Sequence, residues 1–325
     1  QPFLIESNTI NISVSIGVTL FPENNNDSDT LLRHADQAMY TAKQKGKNQY
    51  YLFDSKLDHQ AFEYEKSLAQ IKQALDNNEF VLYYQPKVNL YNGSVQGVEA
   101  LIRWQHPTKG LLPPADFLPL IDNTDLMLEL SDWVLGSAMK QLNQWQAINL
   151  NLIISVNIAP CHLVQPDFVH QLQKHLQAYP KVRPEHLELE ILETAALEDV
   201  LCVSEVMRSC IDLGVNFSLD DFGTGYSTLG YLKNLPAKML KIDQTFIRDM
   251  LVDTEDMAIV IATIALAKAF NRQVIAEGVE TREHGNKLLE LGCEYAQGYG
   301  IARPMPINEV EGWVQQWELK QNNSQ

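Results

Sequence analysis

The chain has 325 residues, 45% of them hydrophobic, enough for one large domain or a large one and a small one. A formal net charge of −16 argues against a protein held on nucleic acid by phosphate neutralisation, yet leaves room for an anionic small substrate at a metal centre. No run of about 18 apolar residues and no charged-then-apolar opening segment occurs, so the sequence as given reads as cytoplasmic.

The four cysteines, Cys161, Cys202, Cys210 and Cys293, lack C-x-x-C spacing and read as reduced, mostly buried thiols. The chain opens in mid-domain. Residues 11–20 (NISVSIGVTL) alternate like a core strand, residues 21–27 form a polar loop, and Ser28 and Asp29 open a helix. Leu31, Leu32, Ala35, Ala38, Met39 and Ala42 would share one helix face, and the basic, Gly-containing stretch 43–48 would end it before a strand at 49–53. One helix and two strands bury too little to fold alone, so the segment reads as the tail of a domain that starts upstream. The runs ISVSIGVT and ADQAMYTAKQKGKNQYYLF resemble the C-terminal portion of the GGDEF (diguanylate cyclase) family. That resemblance sets Lys43 and Lys47 where the family contacts nucleotide phosphates. A cationic last turn opposite the helix dipole explains them equally well. The family's signature loop and upstream metal-binding aspartate are absent, so no cyclase activity is expected of residues 1–54.

Residues 55–65 are polar and helix-favouring and read as a linker helix. From about 66 to 320 the pattern changes. Short β-rich runs at Phe80–Gln85, Gln96–Trp104, Leu152–Asn157, Leu187–Leu192, Val215–Leu219, Met239–Ile242, Gln273–Ala276 and Tyr295 alternate with amphipathic stretches. The helices are expected at Leu126–Ala147, Phe168–Ala178, Val200–Leu213, Glu255–Ala269 and Arg282–Leu291. About eight strand-helix units in roughly 250 residues fit an α/β fold of the (β/α)8 TIM-like barrel type. A doubly wound open sheet competes, although Tyr84-Gln85-Pro86-Lys87 offers no Gly-rich phosphate loop after the first strand. Residues 321–325 read as a disordered tail.

Polar residues recur near the ends of these strands: Glu99, Asn157, Glu190, the pair Asp220 and Asp221, Lys241 and Glu277. Barrel strand ends converge on one mouth, so these side chains would meet there. Five carboxylates against one lysine repel one another and require cations. An oxygen-only donor set selects Mg²⁺ or Mn²⁺, and two such ions would balance the charge, with Asp220 the natural bridge. Paired ions of this kind drive phosphoryl displacement by activated water, with Lys241 facing developing negative charge and Glu277 holding or deprotonating the water. The composition of the mouth thus points to a metal-dependent phosphodiesterase. The eight histidines show no metal spacing. Trp133, Trp145, Trp313 and Trp317 read as helix-packing aromatics, and His106 as a neighbour of Trp104 and Pro107.

The motifs Glu99-Ala100-Leu101-Ile102-Arg103-Trp104, Ser155-Val156-Asn157, Leu187-Glu188-Leu189-Glu190, Asp220 to Gly225, Leu240-Lys241-Ile242-Asp243, Ala276 to Glu280 and Gln297-Gly298-Tyr299 follow in order. Together they resemble the EAL family, which hydrolyses cyclic di-GMP to a linear dinucleotide, across about residues 66–318. The resemblance implies Glu99, Asn157, Glu190, Asp220 and Asp221 as metal ligands and Glu99, Asp221, Lys241 and Glu277 as the catalytic set. It further implies Gln85, Leu101, Arg103, Asn157, Asp243 and Gln297 around the substrate, with the Arg103 fork suited to phosphate. The stretch Phe222, Gly223, Thr224, Gly225 would open a loop controlling activity and dimerisation, anchored by Glu193, and a homodimer is implied. Leu192 stands where the family often has Thr and is not expected to matter. An upstream sensory region, an inner-membrane anchor on it, and an output in biofilm or motility are implied only by the family. Two other functions stay open: a receptor that binds cyclic di-GMP without cleaving it, and an unrelated two-metal phosphohydrolase on the same barrel.

Overall fold

The computed structural model describes residues 3–5, 8–10, 13–21, 27–224 and 229–322. They divide into two compact units, Gln1–Ile71 and Lys72–Gln325.

In the first unit an antiparallel pair, β1 (Phe3–Ile5) and β2 (Asn8–Ile10), precedes β3 (Ile16–Val18), α1 (Ser28–Gln44) and β4 (Tyr50–Leu52). The sequence reading did not anticipate the β1–β2 pair. Strands β3 and β4 run parallel, joined across α1. Asp27 caps α1 by accepting from the Thr30 amide at 2.8 Å, and Ala38 and Ala42 are buried. Leu32, expected on the packed face, is instead exposed. The expected strand 11–20 is regular only over 16–18, and residues 11 and 12 lie outside those described.

The expected linker helix is α2 (Ser55–Asp76), which continues well past residue 65. The second unit then runs β5 (Phe80–Asn89), β6 (Val95–His106), a short β7 (Gly110–Leu112), α3 (Leu118–Ile121) and α4 (Asp125–Ala147). Next come β8 (Ile153–Asn157), α5 (Pro160–Leu163), α6 (Phe168–Ala178), β9 (Leu187–Leu192), α7 (Glu193–Glu198), α8 (Val200–Asp212) and β10 (Asn216–Phe222). The chain closes with α9 (Leu229–Leu232), β11 (Met239–Ile242), α10 (Gln244–Asp249), α11 (Thr254–Ala269), β12 (Gln273–Ala276), α12 (Arg282–Leu291), β13 (Tyr295–Ala296), β14 (Met305–Pro306) and α13 (Ile307–Asn322). Helix α13 extends two residues into the segment expected as a tail; residues 323–325 lie outside those described.

Strands β5, β6, β8, β9, β10, β11, β12 and β13 close into an eight-stranded barrel, β13 pairing back onto β5. The strand runs and long helices expected from the sequence match these elements closely. One departure is topological. Strand β5 is antiparallel to both neighbours and joins β6 through a tight turn rather than a crossover helix. Strand residues that face outward, among them Val156, Leu189, Leu219 and Leu240, are buried, and so are Leu135 and Met139 of α4, Met207 of α8 and Val260 of α11, helices that pack on β8, β10 and β11 respectively. Trp145 of α4 meets Tyr84 of β5 edge-on at 5.3 Å, packing that helix on the barrel as read, while Trp313 stacks on Trp317 within α13 at 5.2 Å. His106 lies 4.8 Å from the Trp104 ring. All four cysteines are free.

Candidate active site

The period of two along a strand decides which side chains enter the barrel. In β9 it turns Glu188 and Glu190 inward; in the paired strands it does the same for Ser155, Ser218 and Lys241. Alternation alone would send the adjacent Asp220 and Asp221 to opposite faces. A bulge prevents this. Leu219 pairs with Leu240 and Phe222 with Ile242, so two aspartates stand opposite the single residue Lys241. Asp221 takes φ +52°, a left-handed conformation that aspartate tolerates better than most side chains. Gly223, with φ +102°, completes the turn.

Lys241 is fully buried at the centre of the mouth. Its Nζ lies 2.6 Å from Glu190 Oε2, 2.7 Å from Glu277 Oε1, 2.9 Å from Asp220 Oδ1 and 3.9 Å from Glu99 Oε2. Gln297 donates to Glu99 Oε2 at 2.6 Å and to Gln85 Oε1 at 2.9 Å, while Gln85 donates to the Ala302 carbonyl. This cradle requires Gly298, where an added Cβ would stand 2.2 Å from the Val279 amide nitrogen. Asn157 donates to Glu99 Oε1 at 2.7 Å.

These contacts sort the carboxylates by charge. Burial raises the Glu277 carboxyl and neighbouring acids add to it against Lys241, pushing it up to about 8. Burial, then Asp220 and Asp243, pushes Asp221 up to about 7. Burial also raises Glu99. Glu190 goes the other way: burial would raise it, but Lys241 and Lys87 together hold it down at about 2. Burial opposes the charge on Lys241, and its ring of carboxylates overrides that, keeping the ammonium charged.

Two overlapping triplets could hold metal ions. Glu99, Glu190 and Asp220 each offer an oxygen within 4.8 Å of the others, and so do Asp220, Asp221 and Glu277. Asp220 belongs to both. The donors are all oxygen, and the Gln297 Oε1 acceptor beside them is buried without a partner. The residues therefore fit hard divalent cations. Glu188 and Lys87 offset each other, and once ionised the five carboxylates Glu99, Glu190, Asp220, Asp221 and Glu277 would face the single ammonium of Lys241, a deficit of four charges that two divalent ions would cancel.

Leu101 and Arg103 line the same 240 Å³ cleft as Gln85, Glu99, Lys241 and Gln297. Arg103 donates to the Ile102 carbonyl and lies 5.8 Å from the Tyr83 ring. Asp243 is placed differently from the cleft residues: it caps α10 through the Thr245 amide at 2.8 Å and hydrogen-bonds the Asp221 carboxyl. Glu193 is fully buried and accepts from the Gly223 amide at 2.9 Å and from the Tyr231 hydroxyl, so it ties together the two sides of the loop after Asp221. Thr224 donates to the Asp221 carbonyl, while Gly225 lies outside the described residues. Lys87, Ser155 and Glu188 were missed from the sequence. So were Gln244, Glu280 and Tyr299, which also line the cleft.

With the geometry in hand, comparison with known proteins is decisive. The sequence model of the EAL domain matches residues 68–304. The chain belongs to the EAL-domain family. Residues 1–49 match the diguanylate cyclase GGDEF domain, so the EAL barrel follows a GGDEF segment. Over 311 residues the chain is 40% identical to the bifunctional diguanylate cyclase/cyclic di-GMP phosphodiesterase MucR of Pseudomonas aeruginosa, covering 95% of this chain and 45% of that protein. It is 36% identical over 318 residues to the cyclic di-GMP phosphodiesterase PdeR of Escherichia coli, covering 97% and 48% respectively. The chain thus spans about half the length of the curated relatives it matches. The solved structure of the MucR phosphodiesterase in complex with cyclic di-GMP superposes with a TM-score of 0.73 at 40% identity, covering 75% of this chain and 99% of that one.

Proposed function

We propose that the EAL unit is a metal-dependent phosphodiesterase that hydrolyses cyclic di-GMP to linear pGpG. The observation that carries this reading is the pair of carboxylate triplets sharing Asp220, of which Glu99, Asp220 and Glu277 line the cleft that also holds Arg103 and Gln297. Relatives named as cyclic di-GMP phosphodiesterases support the choice of substrate.

Glu99, Glu190, Asp220, Asp221 and Asn157 would hold two Mg²⁺ or Mn²⁺ ions, Asn157 by the oxygen of the amide that now faces Glu99. Bound there, such ions would supply activation of water at neutral pH and polarisation of the phosphoryl oxygens. Glu277, whose carboxyl is pushed up to about 8, is suited to hold the attacking water and to carry its proton. Lys241 holds Glu190, Asp220 and Glu277 around one ammonium and would offer a permanent positive charge to the phosphate. Arg103 and Leu101 would flank the substrate; one Arg103 guanidinium nitrogen donates to the Ile102 carbonyl, and the remaining donors would serve a phosphate or a base edge. The loop between Gly223 and Tyr231, tethered at both sides by Glu193, is the element we assign to activity control and to a homodimer contact. Among the described residues no helix is long and apolar enough to cross a membrane; an anchor and a sensor would belong to a longer protein.

The test is chromatographic turnover of cyclic di-GMP with Mg²⁺ or Mn²⁺ beside a Glu99→Ala control. Linear pGpG that depends on Glu99 supports the reading. Tight binding of the intact dinucleotide with no product would make the chain a receptor, and neither binding nor product would overturn the assignment of substrate.

A further inference from the structure

Beneath the mouth lies a second buried lysine that the proposed reaction does not use. Lys87 of β5 directs all three ammonium donors at fixed partners: Glu190 Oε1 at 2.5 Å, Ser155 Oγ at 2.6 Å and Glu188 Oε1 at 3.2 Å. Ser155 in turn donates to Glu188 at 2.7 Å. Lys87, Ser155, Glu188 and Glu190 are each at most 7% exposed as side chains or residues, so water competes little for these contacts. Glu190 is consequently gripped from both ends. Its Oε1 faces Lys87 below, and its Oε2 faces Lys241 and the mouth.

We infer that Lys87 is a positioning residue for the metal site: it pins Glu190 Oε1, so Glu190 presents a single oxygen, Oε2, to a cation. The inference rests on the phosphodiesterase reading only for its effect on turnover; its effect on cation binding stands alone. The physical reason for assigning a role beyond stability is comparative. A buried ion pair contributes little over an apolar pair of equal volume, and a 60 Å³ cavity beside Lys87 and Glu188 leaves room for such a replacement. An apolar pair, however, cannot orient the carboxylate two residues further along β9. Because β5 runs opposite to its neighbours, its Gln85 reaches the mouth while Lys87, two residues later, lies one layer deeper. One strand therefore supplies both a cleft residue and the support beneath it.

The experiment uses the full 325-residue chain and Mn²⁺ alone as probe. Lys87→Met would leave Glu188 uncompensated, so it is made together with Glu188→Leu, a double variant that removes no net charge. Calorimetric titration should give Mn²⁺ binding weaker by about 10–100-fold, the usual consequence of losing a group that orients a ligand. The melting temperature without metal should fall less than in Lys87→Met alone, because Glu188 is gone and Glu190 keeps Lys241. Glu188→Gln alone keeps the Lys87–Glu190 contact and should hold parental Mn²⁺ affinity. In turnover of cyclic di-GMP, the double variant should lose kcat with KM little changed. Parental Mn²⁺ affinity in a folded double variant would overturn the proposal and leave Lys87 as a counter-ion for Glu188. An equal loss in Glu188→Gln would overturn it too, by tracing the effect to the charge of the barrel floor. Failure of the substrate assignment would appear as absent turnover in the parent, with the Mn²⁺ titrations still interpretable.

Discussion

Replacing Lys241 by methionine separates folding from catalysis at this site. The methylene stem and its volume survive, and what disappears is an ammonium held within 2.9 Å of Glu190, Asp220 and Glu277. Removing one partner from a buried ion cluster costs about 3–5 kcal/mol, because the remaining charges stay in a poorly solvating interior. For a unit of this size each kcal/mol moves the melting temperature by about 2–4 °C, so the metal-free variant should melt about 6–20 °C below the parent. Divalent cations should reverse most of that loss. In the parent they compete with Lys241 for the same oxygens; in the variant they meet those oxygens unmasked, so saturating Mn²⁺ should raise its melting temperature more than it raises the parent's. Turnover should nonetheless stay at background, because the restored charge lies at the metal positions and not where the ammonium stood. Calorimetric melting of chelator-treated protein, repeated with Mn²⁺ and paired with the product assay, reads all three quantities. An unchanged metal-free melting temperature would refute the electrostatic reasoning. A loss that Mn²⁺ leaves in place would reduce Lys241 to a packing residue.

The remaining expectations follow from the same contacts. Mn²⁺ affinity should increase as pH climbs through 7 and 8 and level off above: Asp221 and Glu277 are raised carboxyls that hold protons in the metal-free site and must release them to bind a cation. Calorimetry in buffers of differing ionisation enthalpy would count those protons, and zero release at pH 7 would contradict the charge states described. Metal-free stability should move oppositely, falling as pH rises from the ordinary carboxylate range towards 8, since folding then takes up protons that the solvent withholds. Asp221→Gly should gain about 1 kcal/mol by relieving the left-handed backbone, yet lose turnover with the second triplet; a melting curve and the product assay test the two halves. Glu193→Ala should lower kcat while leaving Mn²⁺ affinity near parental, because its partners Gly223 and Tyr231 flank the loop and not the metal triplets.

Most of the barrel was legible in the sequence because its strands are short runs of Leu, Ile and Val alternating with inward polar residues, as in Leu187–Leu192 and Met239–Ile242. Strand direction was not legible from those runs. The reversed β5 had a local signal all the same: Asn92-Gly93 between two apolar stretches marks a hairpin, and Gly93 takes φ +72° there. The site followed the same logic. Residues at strand ends stood out, and the triplets around Asp220 bring most of them together. Lys87, Ser155 and Glu188 lie two residues along their strands from Gln85, Asn157 and Glu190, where a period-two reading of the inward face would have found them. Asp243 lies two residues past Lys241, just beyond the end of β11, and its capping of α10 is a local task that strand periodicity does not show. The β1–β2 pair has three residues per strand, too few for alternation to show.

The bulge at Asp220 and Asp221 sets stability and chemistry at odds within one strand. Deleting a single residue there would restore an unbroken ladder between β10 and β11, remove the left-handed residue and leave one aspartate facing Lys241. Such a deletion would ease the ladder and dismantle the second carboxylate triplet in the same step. Backbone ease and cation binding therefore pull in opposite directions at one turn of the barrel wall.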